Sequence, residues 1–244
     1  MSQAVNGQVL ADLAPGGRIR AAINVGNIVL AKHGEGGAEP SGITVDLARE
    51  LGKRLGVPVE LVVFESAGKV SAVANQDVWD ICFLAIEPAR AAEVEFTAPY
   101  VLIEGTYMVK ADSPLKKVED VDAPGIRIGV NTGAAYDLFL TRSLKNATLV
   151  RAGDGESMFT LLEAGKVDAA AGVRQPLDIY AKSHPDARVM PDRFMEIRQA
   201  MAAGKGKFAG QRYLAAFIEE MKASGFVAAA IKRHNQAAAV APPV

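Results

Sequence analysis

Cysteine is almost absent from this chain. Cys82 is the single one among 244 residues, which excludes an intrachain disulfide. Set in an apolar run, it reads as a small buried hydrophobe on a core strand rather than a reactive thiol. Histidine is nearly as scarce: His33, His184 and His234 stand far apart, without the close spacing of a metal site, so no metal is expected. No apolar run approaches the roughly 20 residues of a membrane-spanning helix. Neither sign of charge is in excess, with 27 Lys and Arg against 28 Asp and Glu spread along the chain for a net charge of −1. That argues against a nucleic-acid or anionic-membrane footprint. Met1-Ser2-Gln3-Ala4-Val5 lacks the basic flank and apolar core of a secretory leader, which leaves localisation open.

What is present is ordinary for a globular protein: 50% hydrophobic and 23% charged residues, in a length that suits one large domain or two small ones. Val9 to Ala14 reads as a helical turn, stopped by Pro15-Gly16-Gly17. Arg18 to Val25 reads as a strand. Gly34, Gly36, Gly37 and Gly42 mark a loop, and no G-K-[ST] follows to make it a phosphate cradle. Ile43, Leu47, Leu51 and Leu55 then run down one helical face. A strand at Val57 to Phe64, a helix at Ala67 to Ala74 and a strand at Trp79 to Ala85 complete a β-α-β alternation, the signature of a parallel sheet with helical crossovers.

After a long apolar stretch from Val101 to Lys110 the alternation begins again. Strands are expected at Ile126 to Val130, Thr148 to Val150 and Val167 to Gly172, and helices at Ala134 to Leu144, Asp154 to Ala164 and Pro176 to Ser183. Phe194 to Met201 reads as extended, and Tyr213 to Ala223 and Phe226 to His234 as closing helices. The Ala- and Pro-rich tail, Gln236 to Val244, is expected to be frayed. The fold class is therefore α/β, in two units.

Several short signatures occur in a telling order. A helix reading Asp46-Leu47-Ala48 through Lys53-Arg54-Leu55-Gly56 comes first. Glu87-Pro88-Ala89-Arg90 and Phe96-Thr97-Ala98-Pro99-Tyr100 follow, then Arg127-Ile128-Gly129-Val130-Asn131-Thr132-Gly133. Leu161 to Ala169 holds an L-x-x-G-x-V-D-A-like turn, and Met221 to Phe226 a helix–helix joint. In this order, from Arg18 to His234, they resemble the bacterial extracellular solute-binding proteins of the polar amino acid type (family 3), the substrate-binding components of ABC transporters. The resemblance implies a periplasmic-binding-protein-like, Venus-flytrap fold with two α/β lobes joined by two crossing segments. Lobe 1 would comprise residues 1–104 and 202–244, lobe 2 residues 105–201, with hinges near 102–106 and 195–201. It also implies a monomeric periplasmic receptor that closes on a small anionic solute and delivers it to a membrane permease. No cofactor is implied.

Open α/β sheets bind ligands beyond the carboxyl ends of their strands. Arg90 lies just past the strand ending at Ala85, and its planar guanidinium matches a carboxylate bidentately. Spacing alone favours a surface arginine paired with Glu87 or Glu93; the resemblance reverses this and makes Arg90 the carboxylate anchor. The turn Thr132-Gly133-Ala134-Ala135 opens a helix whose N–H groups at Ala134 and Ala135 would favour an anion. Asn27 stands where the resembling family carries an aromatic cap, and Val173 where its amino acid receptors carry an ammonium-binding Asp. A valine cannot neutralise an ammonium, so a carboxylate poor in positive charge is favoured over an α-amino acid. Arg174 would add a dicarboxylate site if it faces the ligand. Glu104 would restore an amine ligand if it turns inward. Two rivals remain: a dehydratase acting on a cyclic carboxylate with Glu104 or Glu87 as acid, and an intracellular ligand sensor of the same fold.

Overall fold

The computed structural model describes residues 7–153 and 157–244. Met1 to Val5, and the first three residues of the helix expected from Asp154, lie outside the described residues. The chain divides into two compact units, residues 1–102 with 198–244 and residues 103–197.

The first unit contains α1 (Gly7–Leu13), β1 (Ile19–Asn24), α2 (Ile43–Leu55), β2 (Val59–Phe64), α3 (Ala67–Ala72), β3 (Ile81–Ala85) and α4 (Pro88–Ala91). β2, β1 and β3 run parallel in that order. The stripe Ile43, Leu47, Leu51 and Leu55 on α2 is buried as its spacing predicts. Gly56 closes that helix in the left-handed conformation, φ 70°. Below the sheet, Val70 and Trp79 pack against Ala22, Cys82 and Leu84. Cys82 is fully buried, and burial pushes its thiol up to about 12, as suits an inert core residue.

β4 (Val94–Lys110) carries the chain from the first unit into the second. It starts earlier than the apolar stretch at Val101 suggests, because Pro99 disguises its first half as a turn. There Thr97 Oγ1 accepts from the Met201 N–H at 3.2 Å, a side chain taking a place in the ladder.

The second unit adds β5 (Arg127–Asn131), α5 (Ala135–Ser143), β6 (Thr148–Ala152), α6 (Met158–Glu163), β7 (Ala169–Val173), α7 (Arg174–Ser183) and β8 (Ala187–Val189). Its order is β4-β7-β5-β6, with β7, β5 and β6 parallel and β4 antiparallel beside β7. β8 pairs with the end of β4. Met158, Leu161, Leu162, Val167 and Leu177 fill the core against Met108 and Ala170. β9 (Met195–Gly204) then returns the chain to the first unit, antiparallel to β3. α8 (Phe208–Ala223) and α9 (Phe226–Arg233) follow.

Each unit carries the same kind of internal fastening. Arg20, on β1, receives the carboxylate of Asp80, the residue before β3. The backbone N–H donates at 2.8 Å, Nε at 3.1 Å and Nη2 at 2.8 Å, while the Asp80 N–H returns a bond to the Arg20 carbonyl at 2.8 Å. Arg127, opening β5, and Asp168, preceding β7, repeat all four contacts at 2.8, 3.0, 2.9 and 2.8 Å.

The tail corrects an expectation. Rather than fraying, Ala239–Val240 forms β10, antiparallel on Leu102 and Val101 of β4. Ala241 is buried and donates to the Tyr100 carbonyl at 3.1 Å, and Lys222 Nζ donates to the Pro242 carbonyl at 2.9 Å. Backbone pairing needs no particular side chain, so an Ala- and Pro-rich segment can dock wherever a strand edge is offered. Removing residues 237–244 is expected to lower stability by about 1–3 kcal/mol, from a few lost hydrogen bonds at about 1 kcal/mol each. Urea unfolding of the truncated chain checks this, and an unchanged midpoint would refute it.

Candidate functional site

In the first unit the carboxyl ends of β1 and β3 are followed by two short turns. After β1, Asn27 folds over its own backbone. Its Oδ1 accepts from the Val29 N–H at 3.3 Å and its carbonyl from the Leu30 and Ala31 N–H groups at 2.9 and 3.1 Å. After β3, Pro88 starts α4, which suits a residue without an N–H at the first helical position. This one-turn helix aims Arg90 back at the strand it follows, where Nη1 donates to the Ala85 carbonyl at 3.0 Å.

Arg90 is only 3% exposed, so it is no surface arginine. Burial draws its guanidinium down to about 10, the nearby Glu87 carboxylate opposing the shift; the group stays charged at neutral pH. Glu87 is itself buried, in the residue before α4. A cation held this far from water attracts an incoming carboxylate more strongly than an exposed one would.

In the second unit, Gly133 adopts a positive φ of 72°, a conformation glycine takes without strain. The turn it makes already holds a carboxylate of the chain itself. Gly133 N–H donates to Asp137 Oδ2 at 2.8 Å, and Arg151 reaches the same group at 3.2 and 2.9 Å. The Ala134 N–H donates to the Asn131 carbonyl at 3.1 Å. Ala134 precedes α5 and Ala135 begins it, as expected. The i, i+4 spacing of Gly133 and Asp137 was the available signal for this interception.

Arg174 and Glu104, considered separately from sequence, are brought together. Arg174 Nε donates to Glu104 Oε2 at 2.6 Å, while Nη1 and Nη2 donate to the carbonyls of Met190 and Pro191 at 3.0 and 2.9 Å. Arg193 approaches Glu104 Oε1 at 3.4 Å. Both Glu104 oxygens therefore face guanidinium groups, and all three nitrogens of Arg174 have partners. Among the described residues, no group of three or more His, Cys, Asp and Glu could hold a metal ion.

A model of the bacterial extracellular solute-binding proteins, family 3, matches residues 27–237. The chain belongs to that family. Within the curated proteins, this family 3 member is 23% identical over 171 residues to the L-cystine-binding protein TcyJ of Escherichia coli strain K12, covering 68% of this chain and 63% of TcyJ. It is 24% identical over 150 residues to the cyclohexadienyl dehydratase of Pseudomonas aeruginosa, covering 60% of this chain and 56% of the enzyme. The matches thus span somewhat over half the length of those relatives. The solved solute receptor for L-cysteine of Neisseria gonorrhoeae superposes with a TM-score of 0.79 at 23% identity, covering 92% of both chains. The fold of this family 3 chain is accordingly the periplasmic-binding-protein-like α/β fold.

Proposed function

We propose that this chain is a periplasmic solute receptor for a small carboxylate, which it passes to the permease of an ATP-driven transporter. The residues near 102–106 and 195–201 act as the hinges on which the two units close. The observation that carries the reading is Arg90: a charged guanidinium, almost wholly buried beyond a parallel strand and oriented by the Ala85 carbonyl. A guanidinium is planar with fixed donors, the geometry that matches a carboxylate bidentately.

The names of the relatives favour a second reading, an amino acid ligand. Its ammonium would need an acid, and Val173 offers none. Glu104 is engaged by Arg174 and Arg193, which also takes Arg174 away from a second ligand carboxylate. A monocarboxylate without a positive charge fits these contacts best. The same engagement of Glu104 speaks against a dehydratase with that residue as its acid.

A thermal-shift screen of the twenty standard amino acids against small mono- and dicarboxylates tests the ligand class. At about 100 times its dissociation constant, a ligand adds roughly 2.7 kcal/mol of stability. A monocarboxylate is expected to reach that level and the amino acids to fall short of it. A standard amino acid that reaches it would restore the second reading.

A further inference from the structure

We infer that Gln199 is a second recognition residue, reading an uncharged hydrogen-bonding group that sits next to the ligand carboxylate. The inference rests on the reading of Arg90 as the carboxylate anchor.

Gln199 lies on β9 opposite Ala85 of β3. The Ile86 N–H donates to the Arg198 carbonyl at 2.9 Å, which makes Ala85 and Gln199 the close, non-hydrogen-bonded kind of antiparallel pair. Side chains of such a pair share a face and approach most nearly. Gln199 is therefore fixed beside the strand end whose carbonyl orients Arg90.

Its surroundings do not explain it. Gln199 is 5% exposed, and Ile197, Ala200, Met201, Ala202 and Ala203 around it on the strand are all buried and apolar. Its side-chain amide has no hydrogen-bond partner among the described residues, yet it is not among the sealed polar atoms left unsatisfied, so the small exposure of Gln199 belongs to the amide. A side chain this buried that bonds nothing inside and keeps its amide open to solvent leaves that amide available to a solute. For packing alone, leucine would serve as well. An amide offers both a donor and an acceptor and carries no charge. It suits a hydroxyl or carbonyl group, and it compensates an ammonium poorly.

The test uses two matched trios that differ only in carrying hydrogen, hydroxyl or ammonium at C2: propionate, lactate and L-alanine, and 3-phenylpropionate, 3-phenyllactate and L-phenylalanine. Calorimetry on the full chain is expected to show the hydroxyl member of at least one trio binding about ten-fold tighter than its hydrogen counterpart, the order of one well-made hydrogen bond. Gln199→Leu should remove that preference while leaving the ligand-free melting temperature unchanged or higher. Gln199→Glu should shift the preference toward the ammonium member. A fall in ligand-free melting temperature for Gln199→Leu would show a structural role and overturn the inference. So would a hydroxyl preference that survives the substitution, or a protein that binds none of the six. Arg90→Ala, run in parallel, separates the two readings. Binding lost with Arg90→Ala but unaltered by Gln199→Leu refutes Gln199 alone; binding kept in Arg90→Ala refutes the anchor.

Discussion

Arg90→Ala is expected to weaken ligand binding by about 2–5 kcal/mol, because it leaves a desolvated carboxylate without its counter-charge. Arg90→Lys should recover only part of the loss: an ammonium supplies charge but not the planar fork that donates to the Ala85 carbonyl and would match a ligand carboxylate. The alanine substitution also disturbs the apo protein, since the buried Glu87 carboxylate acts on Arg90 and would lose its nearby cation. The double substitution Arg90→Gln with Glu87→Gln keeps the interior neutral and should fold normally while still failing to bind. Calorimetry on that double variant giving an affinity within about three-fold of the parent would remove Arg90 from the site.

The second large effect concerns folding. Asp80→Ala should destabilise the protein by about 3–5 kcal/mol, the range for breaking a buried ion pair from one side. The Asp80 side chain is 2% exposed and accepts from both the backbone and the guanidinium of Arg20. Asp168→Ala removes the same contacts at a more open place, its side chain being 34% exposed, and should be milder, about 1–2 kcal/mol. Urea unfolding of the two variants side by side would expose an error if Asp168→Ala proved the worse. The Arg127 guanidinium holds the Asp168 carboxyl below its ordinary value. Its contribution is therefore complete above the unfolded carboxyl value of about 4 and is lost as pH falls through the lower folded value. Asp168→Asn should lack that part of the acid dependence.

Much of the architecture could be read from the chain because its elements follow local rules. The four-residue stripe of α2 and the two β-α-β alternations announce themselves through periodicity, and helices such as α5 and α9 end within a residue or so of where the pattern stops. The tail and the start of β4 escaped for a shared reason. Strand pairing is made by backbone, and neither an Ala-rich segment nor one interrupted by Pro99 advertises it. The candidate site was legible in part. Arg90 follows from its turn and from resemblance, but its burial does not, since an arginine two residues after a glutamate-proline step looks like a surface group. The pairing of Arg174 with Glu104 spans 70 positions and exists because β4 and β7 place Gly105 opposite Val173. No spacing rule reaches that far. Gln199 was hidden for another reason: it follows Glu196 and Arg198 on β9 and reads as one more polar residue of a half-exposed strand, while its burial comes from packing.

The paired fastenings of Arg20 with Asp80 and Arg127 with Asp168 sit at the amino ends of their strands, whereas Ala85 ends β3 and Asn27, Arg90 and Ala134 follow the carboxyl ends. The fastenings and the proposed binding residues thus lie at opposite ends of the parallel strands in each unit. On the proposed reading of Arg90, substitutions that retune solute preference would fall where no fastening is touched. For an engineer, the same separation marks out the editable rim: loops after β1, β3 and β5 invite replacement, and the four residues of the fastenings should be left alone.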